Sequence, residues 1–90
     1  MEFEWDPKKA VANARMHGVT FEEAATVFGD PLAITFEDPD HSKDENRYIT
    51  FWLSIQKRLL VVSHTERRDR TRIISARPMD RKERIIYEQG

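Results

Sequence analysis

Four side chains in the second half of this chain, His64, Arg77, Glu83 and Tyr87, are of the types that move protons and hold anions. A histidine exchanges a proton near neutral pH. An arginine fork grips a phosphate through two parallel N–H bonds. A carboxylate accepts a proton, and a phenol gives one up. Three of the four fall in the stretch 72–87, RIISARPMDRKERIIY. There a short apolar run carries Arg72 and Arg77 at its ends, Pro78 stops it, and Asp80 opens a basic helix. The proline biases Arg77 to an extended backbone, and alternation sets Arg77 with Ser75 on the more polar face. A strand, a tight corner and a helix with cations at the corner suit an anionic partner.

Each candidate also has a plainer role. His64 sits near the end of an apolar strand and fits a half-buried histidine bonded to a neighbour. Glu83 lies three residues after Asp80, the position of a capping-box carboxylate. Ile85, Ile86 and Tyr87 can all serve to pack the last helix, but helical geometry cannot bury all three equally. Arg67, Arg68, Arg70 and Arg72 cluster around one turn, either as an RNA-steering patch or as a solvated loop. Arg47 can reach phosphate or pair with Asp44 or Glu45. Arg84 follows Glu83 on an adjacent helix face. Lys8 and Lys9 read as surface residues, His17 as a helix-end residue favoured by the dipole, and His41 as incidental. The three histidines, at 17, 41 and 64, have no metal-ligand spacing.

Elements must position these groups, and the chain divides cleanly. Residues 2–5 alternate as a short strand. Asp6-Pro7 is a helix cap with proline at the first turn, and Gly18 stops that helix. Ala10, Val11 and Ala14 form its apolar stripe. Thr20 and Glu23 form a capping box for a second helix, which buries Phe21, Ala24, Ala25 and Phe28 and ends at Gly29-Asp30-Pro31. The period then becomes two: strands at 32–37, 47–55, 58–66 and 71–77, with a polar acidic loop at 38–46. Tight turns at 56–57 and 67–70 make neighbouring strands antiparallel. A helix at 80–88 closes the chain. The order β-α-α-β-β-β-β-α predicts one α+β domain over residues 1–90, an antiparallel sheet with helices on one face.

Composition bounds the function. The chain has 90 residues, 39% hydrophobic and 34% charged, with no cysteine. It can build one modest core and has no disulfide or thiolate zinc site. No apolar run approaches the roughly 18 residues of a membrane helix, and the acidic start MEFEWDP is unlike a signal peptide. A cytoplasmic protein with no membrane contact is expected. The net charge of −1 hides a split: residues 1–45 hold eleven acids and four bases, and residues 46–90 hold eleven bases and five acids. A basic working surface follows. It suits RNA or an acidic protein, and no ribbon-helix-helix or zinc-finger signature supports autonomous DNA reading.

The segments FEWDPKKAVANARMHGVTFEEAATVFGDP, RLLVVSHTERRDRTRIISAR and ERIIY, in that order and spacing, resemble the BrnT family of bacterial toxins. The resemblance covers nearly the whole chain. It implies a RelE-like fold and a type II toxin, a metal-independent endoribonuclease that arrests translation and needs no cofactor. It also implies a ribbon-helix-helix antitoxin (BrnA-like) that binds the toxin in a hetero-oligomer. Operator DNA would then be met only through the antitoxin, with autorepression of the operon. Arg77, His64, Glu83 and Tyr87 become candidate catalytic residues, and Arg47, Arg67, Arg72, Arg84 and Trp52 candidate RNA contacts. A catalytically silent co-repressor that binds the antitoxin is the alternative. Three residues depart from the family pattern. Trp52 stands where a small residue is common, Lys57 where a turn glycine is usual, and Met16 where a lysine commonly precedes the histidine.

Overall fold

The computed structural model describes residues 1–38 and 46–89. Strand β1 (Glu2–Glu4) leads to α1 (Pro7–His17). The carboxylate of Asp6 accepts from the Lys8 amide at 2.8 Å, and Pro7 supplies a first-turn residue with no N–H to satisfy. Gly18 ends α1 at φ 68, a left-handed conformation that costs glycine little. Helix α2 (Phe21–Thr26) is shorter than its apolar face suggests, because the chain tightens into a 3-10 turn at Val27–Gly29. Thr20 caps α2 by accepting from the Glu23 amide. The capping box is only half formed: the Glu23 carboxylate turns inward instead of reaching back.

The remaining elements are β2 (Ile34–Glu37), β3 (Arg47–Leu53), β4 (Leu59–Arg67), β5 (Arg70–Pro78) and α3 (Arg81–Gln89). They form a five-stranded sheet in the order β1-β5-β4-β3-β2. The α+β class and element order are as the sequence predicts, with two corrections. The sheet is mixed, not wholly antiparallel: the two helices carry the chain from β1 to β2 at the opposite edge, and the last strand, β5, returns to pair with β1 in parallel. The helices also do not share one face. Helices α1 and α2 cover one side, and α3 lies beside the other.

On the helix-covered side, Val19, Phe21, Ala24 and Val27 pack against Leu60, Val62, Ile73 and Ala76, all essentially inaccessible to solvent. This core fixes which faces of β4 and β5 point inward. Val11 is exposed, contrary to the expected stripe, and the buried residue of α1 is Asn13. The Asn13 amide donates to the Val19 and Ala76 carbonyls at 3.0 and 2.8 Å and accepts from the Ala76 amide at 3.0 Å. One side chain thus ties α1 to the chain before α2 and to the centre of β5.

A second lock joins α2 to the β3–β4 turn. Glu23 is buried and receives the Arg58 guanidinium through Nε at 2.8 Å and through Nη2, while Ser54 donates to it at 2.7 Å. The turn itself holds Lys57 at φ 65, the left-handed conformation that suits the glycine usual there. At the next hairpin, Arg68 occupies φ 54 in a two-residue connection.

Candidate functional site

The open side of the sheet is built from three transverse rows set by register. Ile34, Phe51, Val61 and Arg77 form the first, Phe36, Ile49, Ser63 and Ser75 the second, and Arg47, Thr65, Arg72 and Glu4 the third. Laterally paired residues share a face, so Arg47, Arg72 and Arg77 project on the same side. This arrangement depends on a bulge between Ser63 and His64, opposite Ile74. Strict alternation from Arg77 places Ile73 on the open face and Arg72 in the core. The extra residue reverses the parity: Ile73 joins Ala76 in the core, and Arg72 comes to the face of Arg77.

Arg77 ends its row where β5 turns into α3. Its Nη1 and Nη2 donate to Glu83 Oε1 and Oε2 at 2.8 and 3.0 Å, a bidentate pair. Glu83 is also the helix cap that its spacing suggests: its Oε1 accepts from the Asp80 amide at 2.8 Å, and Asp80 Oδ1 accepts from the Glu83 amide at 2.8 Å. The two roles cooperate, because the cap holds the carboxylate where the guanidinium meets it. Hydrogen bonding to Arg77 holds the Glu83 carboxyl below its usual range, partly offset by burial. The same bond raises Arg77. Glu83 is therefore ionised at neutral pH and already carries its counter-ion.

Tyr87 lies one turn beyond Glu83 on the same face of α3. Its ring packs on Trp52, centroids 4.6 Å apart, and Trp52 in turn meets Phe51 and the core. Trp52 thus anchors α3 through an aromatic contact. Between α3 and the sheet runs a groove of about 240 Å³, lined by Phe36, Ile49, Phe51, Val61, Met79 and Ile86, with Arg77 and Glu83 at its edge.

The other candidates are distributed as follows. His64 is 1% exposed and lies on the helix-covered face, away from Arg77. Its Nε2 meets Thr50 Oγ1 at 2.7 Å, its Nδ1 is 3.2 Å from Glu66, and its ring contacts Phe28 and Tyr48. The buried, bonded role fits this placement, and the structure does not bring His64 to the other three catalytic candidates. Arg72 is paired with Glu4 at 3.0 Å, and Arg70 lies within 3.9 Å of Glu2 and Glu4. The turn cluster is thus partly neutralised by the acidic half of the chain, as Arg58 is by Glu23. Arg47 is half-buried at the start of β3, Arg67 is exposed at the end of β4, and Arg84 is exposed on α3. His41 and the proposed Arg47 partners Asp44 and Glu45 lie outside the described residues. Met16 is fully on the surface. Among the described residues, no cluster of three or more His, Asp or Glu could hold a metal ion, and no helix is long and apolar enough to cross a membrane.

Titration should register in stability. Burial lowers the His64 pKa from its ordinary 6.5, against a smaller upward pull from Glu66. Arg58 bonding lowers Glu23, and Arg77 bonding lowers Glu83, from 4.5. In each case the unfolded chain binds the proton more readily, so stability is lost as pH falls. Urea midpoints should decline below pH 6.5 through His64 and more steeply below pH 4.5 through the two carboxylates. A flat profile between pH 6.5 and 4.5 would rule out the His64 contribution, and His64→Gln should remove it.

Asn13 and the Glu23–Arg58 lock escaped the sequence reading as structural centres. For Asn13 the only signal was a polar residue three positions after Ala10, on the helix face that must be buried.

Comparison with known proteins defines the class. In fold, the chain is similar to the crystal structure of the Brucella abortus ribonuclease toxin BrnT, with a TM-score of 0.66 and 17% identity over 90% of this chain and 99% of that one. At that identity the likeness establishes the fold. The family follows from the sequence model for the ribonuclease toxin BrnT of type II toxin–antitoxin systems, which matches residues 5–83. The chain belongs to the BrnT family. No curated protein sequence matches it significantly.

Proposed function

We propose that this chain is an endoribonuclease that cuts RNA without a metal ion, on the open face of the sheet around Arg77. The observation that carries the reading is the Arg77–Glu83 pair at the head of a face that also bears Arg47 and Arg72. Glu83, ionised and held by its cap, takes the proton from a ribose 2′-hydroxyl. The oxygen attacks the adjacent phosphorus, and Arg77 stabilises the charge that accumulates on the phosphorane. Tyr87 supplies the proton to the departing 5′-oxygen. The products are a 2′,3′-cyclic phosphate and a 5′-hydroxyl. Loss of intact RNA in the cytoplasm arrests translation. A ribbon-helix-helix antitoxin neutralises the chain and, in complex with it, represses the operon.

Purified protein should cut RNA in excess chelator and leave those two end groups. RNA that stays intact in chelator but is cut with added magnesium would overturn the metal-free chemistry. One observation favours the second reading, a silent co-repressor: both terminal guanidinium nitrogens are already bonded to Glu83. Under that reading RNA stays intact with and without metal, while the antitoxin still binds.

A further inference from the structure

We propose that the groove between α3 and the open sheet face is the seat of a large apolar side chain from an acidic segment of the antitoxin. The inference rests on the toxin reading and names the surface through which the partner is recognised. The groove exposes apolar surface that a lone domain would otherwise hide. Phe36 is 46% and Ile86 66% exposed, and α3 contributes no buried residue to the core. Apolar surface gathered in a concave patch marks an interaction site more strongly than the same area scattered.

Size and chemistry select the occupant. A volume of about 240 Å³ falls below the roughly 300–1,000 Å³ of small-molecule and cofactor pockets, and matches one or two side chains. A nucleobase needs hydrogen-bond partners for its edge. The polar groups at its edge, Arg77 and Glu83, are bonded to each other, and the rest of the lining is apolar. An aliphatic or aromatic anchor makes no such demand.

Charge selects the segment around the anchor. Lys82 stands one helical turn before Ile86 and so flanks the groove. Arg81 and Arg84 are exposed on the same helix, and Arg47 lies on the same sheet face. A second copy of this chain would place these cations against their own counterparts. A partner with carboxylates beside its anchor meets them with opposite sign, which steers encounter and sets register.

The test measures binding of the antitoxin encoded with this chain to the wild type, Phe36→Glu, Ile86→Glu and, as a control on the far side, Val11→Glu. All three positions are exposed, so thermal melting should stay near wild type. The two groove variants should lose about 30-fold or more in affinity, as for a buried anchor. Val11→Glu should bind like wild type, and added salt should weaken all the complexes. Groove variants that bind the antitoxin within about threefold of wild type overturn the inference alone. Variants that bind normally but lose RNA cleavage assign the groove to a base instead, which also overturns it. A wild-type chain that neither cuts RNA nor binds the antitoxin overturns the toxin reading itself.

Discussion

Alanine in place of Arg77 is expected to lower RNA cleavage by about 100- to 1,000-fold, the range seen when one preorganised donor to a developing oxyanion is removed. The loss should appear in single-turnover rates more than in RNA affinity, because the phosphorane carries more charge than the ground-state diester. Lysine should restore little. It supplies the charge, but not the planar fork that faces two oxygens at once. Glu83→Gln separates the two roles of its partner. A glutamine can still accept from the Asp80 amide, now 2.8 Å from Oε1, so the helix start survives. It cannot take a proton. A matching fall in rate with an unchanged melting temperature would make Glu83 the base. A wild-type rate in Arg77→Ala would remove this site altogether.

The candidate site was legible in sequence where local rules decide it. Pro78, Asp80 and Glu83 lie within six residues, so the corner, the cap and the placement of Arg77 follow from short-range geometry. The helix stop at Gly18 and the tight strand connections were legible for the same reason. What stayed hidden depends on long-range contacts. The pairing of Arg72 with Glu4 spans 68 positions and exists because β1 crosses to pair with β5. The bulge opposite Ile74 leaves no signature in a run of apolar residues, yet it decides which of Arg72 and Ile73 meets solvent. The charge split between the halves was real but was misleading about the surface. Arg58 and Arg72 of the basic half are bound to Glu23 and Glu4 of the acidic half. Glu23 looked like a cap because its spacing from Thr20 is correct. Nothing local announces that an arginine 35 residues away draws the carboxylate inward.

Asn13→Ala should be strongly destabilising, with a loss of about 3 kcal/mol or more. The argument rests on what the truncation leaves behind. Three hydrogen bonds vanish, and the Ala76 N–H and the Ala76 and Val19 carbonyls lose their partner in a region closed to water. Each stranded group costs about 1–3 kcal/mol. Against a total stability of roughly 5–15 kcal/mol for a small domain, the change lowers the melting temperature by roughly 12–24 °C. Asn13→Asp should be no better. It keeps an acceptor for the Ala76 amide but loses both donors and adds a buried charge without a counter-ion. Val11→Ala, two residues earlier but exposed, should shift melting by no more than about 0.5 kcal/mol. Since Ala76 adjoins Arg77, slackening at this point should also blur the guanidinium position. Asn13→Ala is therefore expected to lower cleavage at temperatures where the protein is still folded, and melting within about 3 °C of wild type would refute the central place of this amide.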